Sequence, residues 1–256
     1  RCLRAGGFRV VGYDSNPEAA AKVGIEVGAS VAEVVRSAQI ILMSLPDSKV
    51  GEAVVEGDGG VLSSVEKGQV VVDLSTASAS STIRLARLFN DRGAFYVDAG
   101  ISGGAAAAEK GTLTLMVGGA EEAIERLPPV FRPIASKVVV MGGAGAGHTT
   151  KLLNNFLNAV SLAATAEVMV AGKKAGLDLH QLLDVLNASS GVNFATLNRF
   201  PKIVDGDYLE GGLTSRLMTK DVVLYADLLH ELGEEHGFRT EEIPAMEVDH
   251  IAVSST

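Results

Sequence analysis

Gln69-Val70-Val71-Val72-Asp73-Leu74-Ser75-Thr76 decides the fold of this chain: a continuous β-branched run, closed by polar residues at its end. A short run that is apolar on successive residues is a strand buried on both faces, the condition of a parallel sheet covered by helices. The same pattern occurs before it in Phe8-Arg9-Val10-Val11-Gly12-Tyr13-Asp14 and Gln39-Ile40-Ile41-Leu42-Met43-Ser44-Leu45-Pro46, and after it in Ala94-Phe95-Tyr96-Val97-Asp98-Ala99. Helical stretches separate these runs. Asn16-Pro17-Glu18 supplies a cap followed by proline in the first turn, and Ser78 to Ser81 precede the periodic segment Thr82 to Leu88. Alternation of this kind over residues 8–141 predicts a doubly wound α/β domain with a parallel sheet.

Two further strands are expected at Leu113 to Gly118 and Lys137 to Met141, after which the pattern turns helical. One apolar-periodic helix is predicted from Thr149 to about Ala175, followed by helices at Leu179 to Asn187 and Thr214 to Leu232. The boundary falls in Gly142 to Gly147, read as a hinge, giving a sheet domain over 1–146 and an all-α domain over 147–256 with a cleft between them.

The composition narrows the function. With 47% hydrophobic residues in 256, the chain has enough apolar material for a sizeable core. A net charge of -9 with no long basic run argues against nucleic acid or an anionic membrane as partner. The most apolar long segment, Leu152 to Gly172, contains Asn154, Asn155, Asn158 and Glu167, which suit a partner-facing helix better than a lipid-facing one. Such a face predicts self-association as a homodimer or homotetramer. The single cysteine, Cys2, fits a reducing, cytoplasmic setting, and five histidines without ligand spacing give no metal site.

Candidate site residues fall at strand ends and at one helix start. Gly145-Ala146-Gly147-His148-Thr149-Thr150-Lys151 enters the long helix and is followed by Asn155 one turn beyond the lysine. At spacing i, i+4 the two side chains leave one helix face. A lysine near a helix N-terminus meets the positive end of the dipole, which predicts a lowered pKa suited to proton transfer; the plain alternative is a solvated lysine. Ser102-Gly103-Gly104 places a hydroxyl beside two backbone amides able to cradle a carboxylate, though any tight turn uses glycine in this way. Asp14 ends the first strand where an acid would accept from ribose hydroxyls and repel a 2′-phosphate, predicting NAD in preference to NADP. Leu45-Pro46 and Ser75-Thr76 end the next strands, on the edge a cofactor would occupy. Lys220 is a cation on an otherwise apolar helix, and a surface salt link would also account for it. No frame of Gly142 to Gly147 gives Gly-x-Gly-x-x-Gly, so a phosphate loop is not read there and the fingerprint that normally precedes an acid such as Asp14 is expected upstream of Arg1.

Three blocks in order, Asp98-Ala99-Gly100-Ile101-Ser102-Gly103-Gly104, Gly147-His148-Thr149-Thr150-Lys151-Leu152-Leu153-Asn154-Asn155 and Leu217-Met218-Thr219-Lys220-Asp221, resemble the signatures of the β-hydroxyacid dehydrogenases. The resemblance spans residues 1–233. It implies a Rossmann-like domain followed by a helical domain, with oxidation of a small 3-hydroxy acid to its semialdehyde or ketone at the expense of NAD. It also implies that Ser102, Gly103 and Gly104 hold the substrate carboxylate, that Lys151 is the general acid/base and that Asn155 fixes the substrate hydroxyl. Asp14, Leu45, Pro46, Thr76 and Lys220 match cofactor-contacting places. The lysine disfavours the imine reductase branch of this group. The family's opening strand and glycine loop are lacking, and Glu234 to Thr256 does not resemble its closing helices, so a truncated, catalytically silent homologue serving as a binding or oligomerisation module is the competing expectation.

Overall fold

The computed structural model describes residues 1–208 and 215–233. Two compact units divide the chain, Arg1–Lys151 and Leu152–Thr256. The division falls after Lys151 rather than after residue 146, because the first turn of the long helix packs into the sheet unit. The reading of Glu234 to Thr256 lies outside the described residues, as do His236 and His250.

In the first unit, β1 (Val11–Gly12) pairs in parallel with β2 (Glu26–Val27). A separate five-stranded sheet runs β3 (Ile40–Met43), β4 (Val70–Asp73), β5 (Phe95–Ser102), β6 (Leu113–Gly118), β7 (Ala135–Gly142), in that spatial order. The valine run behaves as its pattern demands. Val71 packs with Val55, Leu85, Phe89 and Tyr96 on one face, while Val70 and Val72 pack with Val97, Leu115, Leu127 and Phe131 on the other. Successive side chains alternate across a strand, so one run fills two cores. Each fully buried valine contributes about 1.5–3 kcal/mol by leaving water.

One ladder departs from the all-parallel expectation: β5 and β6 are antiparallel, while β3·β4, β4·β5 and β6·β7 are parallel. The connection explains it. Residues 103–112 carry only the seven-residue helix Gly104–Lys110, too little chain for a parallel crossover, which needs about a dozen residues or more.

Helix starts follow the capping chemistry. Asn16 accepts from Glu18 N–H ahead of Pro17–Lys22, Asp47 accepts from Val50 N–H ahead of Ser48–Glu56, and Ser78 accepts from Ser81 N–H ahead of Ala79–Asn90. Each such cap is worth about 1 kcal/mol.

The helix Ala146–Lys174 has 29 residues and ends at Gly176, whose φ of 81° closes the terminus in the left-handed region. In the second unit, its later turns pack Met169 with Leu183, Ala195 and Phe200, and Ala159 with Val222 and Ala226 of the helix Ser215–Glu231. No described helix is long and apolar enough to cross a membrane.

Candidate active site

The carboxyl ends of β1, β3 and β4 carry Asp14, Leu45-Pro46 and Ser75-Thr76. Side chains shape the backbone where strand pairing stops. The Ser75 hydroxyl accepts from Leu45 N–H at 2.9 Å, and Asp73 Oδ1 accepts from Ser75 N–H at 2.9 Å. Tyr96 donates its hydroxyl to the other Asp73 oxygen at 2.9 Å. Burial, reinforced by the Asp73 charge, pushes the Tyr96 phenol well above its ordinary pKa, so it stays a donor. The two strand ends are thereby held side by side. Asp14 is exposed and accepts from Asn16 N–H at 2.8 Å, the start of the turn into the next helix. The ends of β3 and β4 lie at the carboxyl edge where a doubly wound sheet takes its ligand, whereas Asp14 follows β1, which pairs only with β2 in a separate sheet.

At the end of β5, Ser102 is half-buried, and Gly103 and Gly104 have φ of 123° and 65°. A side chain at Gly103 would be strained and would meet Ala107 Cβ at 2.5 Å. The glycines are therefore required by the turn whether or not a carboxylate binds there.

The start of the long helix lies against β5. A Cβ on Gly100 would stand 2.6 Å from Lys151 Cβ and 3.1 Å from its Cγ, so the absence of a side chain two residues before Ser102 is what admits Lys151. Asp98, fully buried in the same strand, accepts from Gly145 N–H and His148 N–H, each at 2.8 Å. Burial pushes the Asp98 carboxyl above its ordinary value, opposed by the His148 ring when protonated and by those two N–H groups. The turn expected to be a hinge is thus bonded into the sheet unit.

In the second unit, Asn155 donates to Asp221 Oδ2 at 2.5 Å. A carboxylate only accepts, so the amide nitrogen must face Asp221, and Asn155 Oδ1 accepts from Asn154 at 3.2 Å. Lys220 Nζ lies 3.2 Å from Asp221 Oδ1, an ion pair lacking the alignment of a hydrogen bond. Both Asn155 and Asp221 are buried. Lys220 therefore pairs with a buried acid rather than through a surface salt link, and shares that partner with a candidate site residue.

Asp73, Asp98 and Asp221 stand outside the candidate residues that the sequence singles out. The signal available was an acid inside or next to an apolar run, a position where burial demands several donors. Asn193 caps the helix Phe194–Asn198: its Oδ1 accepts from Ala195 and Thr196 N–H, and its amide donates to Thr165. Among the described residues no group of three or more His, Cys, Asp or Glu is placed to hold a metal ion.

Two family models cover the chain. Residues 1–143 match the NAD binding domain of 6-phosphogluconate dehydrogenase, and residues 145–238 match the NAD-binding region of NADP-dependent 3-hydroxyisobutyrate dehydrogenase. The chain is 37% identical over 222 residues to 2-(hydroxymethyl)glutarate dehydrogenase of Eubacterium barkeri, covering 85% of this chain and 73% of that protein. It is 36% identical over 230 residues to the mitochondrial 3-hydroxyisobutyrate dehydrogenase of Mus musculus, covering 86% and 69%. The Mycobacterium tuberculosis 3-hydroxyisobutyrate dehydrogenase solved with L-serine superimposes with a TM-score of 0.86 at 30% identity, covering 97% of this chain and 89% of that one.

Proposed function

The chain belongs to the 3-hydroxyisobutyrate dehydrogenase-like family of β-hydroxyacid dehydrogenases, and on that premise we propose that it interconverts a small 3-hydroxy acid and its semialdehyde, with Lys151 as general acid/base. The observation that carries this reading is the seat of Lys151: its Cβ occupies the space a Gly100 side chain would need, on the strand that ends in Ser102-Gly103-Gly104.

The residue roles follow from what each group can do. The Ser102 hydroxyl and the N–H groups of Gly103 and Gly104 bind the substrate carboxylate as donors. Unprotonated Lys151 takes the proton from the substrate hydroxyl at Nζ during oxidation and returns it during reduction. Asn155, its amide oriented by Asp221, hydrogen-bonds that hydroxyl. The nicotinamide, when bound, supplies the acceptor or donor of hydride. Leu45, Pro46, Thr76 and Lys220 line the cofactor, and the exposed Asp14 favours NAD over NADP by repelling a 2′-phosphate.

The relatives support the substrate class. Serine, 3-hydroxyisobutyrate and 2-(hydroxymethyl)glutarate, the compounds for which similar proteins are named or with which one was solved, share a primary alcohol on the carbon next to the one bearing the carboxylate. NADH formation with a panel of such acids tests the reading, and activity confined to 2-hydroxy acids would remove it. Self-association is part of the same proposal, supported by the exposed Leu153 and Leu157 on the long helix. Elution at monomer size on gel filtration would contradict it.

A further inference from the structure

We propose that Asp98 and His148 are positioning residues for Lys151: together they bolt the first turn of its helix to β5 and to the helix Ala79–Asn90. The inference rests on the reading of Lys151 as the proton-transfer group.

Asp98 does from another strand what a capping residue does from its own helix. Its two oxygens take the N–H groups of Gly145 and His148, donors that the start of a helix leaves without internal partners. Both oxygens accept, the arrangement of an ionised carboxylate, and it lies at the positive end of the dipole. Three glycines allow the approach. A Cβ on Gly147 would meet the Met116 carbonyl and, at 2.9 Å, the Asp98 carbonyl. One on Gly118 would meet Gly147 N at 2.7 Å and Asp98 Oδ1 at 2.8 Å, and one on Gly100 would meet Lys151 itself.

His148 fastens the other side. Thr82 donates its single hydroxyl proton to the Ser78 carbonyl at 2.9 Å. It must therefore accept from His148 Nδ1, which lies 2.7 Å away, so the imidazole carries a proton on Nδ1. The ring is fully buried. Thr82 belongs to the helix that follows Ser75-Thr76, so the His148 bond ties the Lys151 helix to the segment next to the proposed cofactor edge. Lys151 lies three residues beyond His148, so the same turn carries both.

The experiment compares the full chain with Asp98→Asn, Thr82→Val and Thr82→Ser. In lysine-¹³Cε-labelled protein the Lys151 resonance, assigned by its loss in Lys151→Arg, is expected to move and broaden in Asp98→Asn and Thr82→Val and to return in Thr82→Ser. Amide exchange at one of Gly145 and His148 rises at least about 10-fold in Asp98→Asn, because that N–H then faces an amide donor while the other keeps the remaining oxygen. With a 3-hydroxy acid, kcat falls about 10- to 100-fold while the KM for NAD stays within about threefold, as expected for a misplaced rather than missing group. A folded Asp98→Asn protein with the wild-type Lys151 resonance overturns the proposal, as does equal behaviour of the Val and Ser variants at position 82. If the wild type turns over no 3-hydroxy acid, the dehydrogenase reading fails, and the resonance still decides whether Asp98 and His148 position Lys151.

Discussion

Gly100→Ala is the sharpest perturbation of the proposed site, because it adds one methyl group at a known distance from the lysine. Gly100 is not among the glycines with positive φ, so alanine is compatible with its backbone and the substitution tests space alone. The new Cβ would stand 2.6 Å from Lys151 Cβ and 3.2 Å from the Gly147 carbonyl, where ordinary contacts begin at 3.4 Å. The strand and the helix start must therefore separate by about 0.8 Å, against the bonds that Asp98 makes to the same turn. Overpacking of this size costs about 1–3 kcal/mol. A shift near 1 Å in a reacting group costs about 100-fold in rate. Urea unfolding is expected to show a lower midpoint with an unchanged slope, and initial-rate kinetics a kcat reduced by about 10- to 100-fold. Gly143→Ala is the control: nothing lies within 4 Å of its added Cβ, and it should change stability by less than about 0.5 kcal/mol. A Gly100→Ala protein with wild-type stability and kcat would refute the claim that Lys151 is seated on β5.

Asp221→Ala removes a buried acceptor from Asn155, and the loss of that bond is expected to cost about 1–3 kcal/mol in a denaturation series, with a raised KM for the hydroxy acid; unchanged KM and stability would separate Asp221 from the site. Arg84 bonds Glu56 at 2.7 Å and holds its carboxyl below the ordinary 4.5, while its own pKa is raised. A depressed acid stabilises the fold above its unfolded value and loses that contribution as pH falls through its folded one. The difference between wild type and Arg84→Met should therefore be present at pH 7 and vanish well below pH 4.5; because both side chains are more than a third exposed, it should stay under about 1 kcal/mol and shrink with salt. A difference that persists in acid would contradict the pairing.

The sheet was legible because its strongest signals are local. Val70-Val71-Val72 fills cores on both sides of β4, and Asn16 and Ser78 cap the helices they announce. Edges were less so: the run Phe8 to Asp14 yields only the two-residue β1, and β2 at Glu26–Val27 carries no apolar pattern to find. The antiparallel β6 depends on the length of a connection rather than on the strand's own residues. Lys151 and Ser102 were visible as residue types in suggestive places, whereas the partners that fix the helix turn and Asn155 lie far along the chain. Asp98 reaches residues 47 and 50 positions away, and Asp221 reaches one 66 positions away. Long-range hydrogen bonds of this kind leave no periodicity, and only the rule that a buried acid needs donors points to them.

The central claim is that Lys151 transfers the proton of a 3-hydroxy acid during hydride exchange with NAD. NADH absorbance followed with a panel of 3-hydroxy acids, for the wild type and for Lys151→Ala with its fold verified by a cooperative melt, tests it most directly. Turnover by the wild type on at least one such acid is expected, with a loss of kcat of at least about 100-fold in the variant. Turnover by Lys151→Ala at the wild-type rate would contradict it.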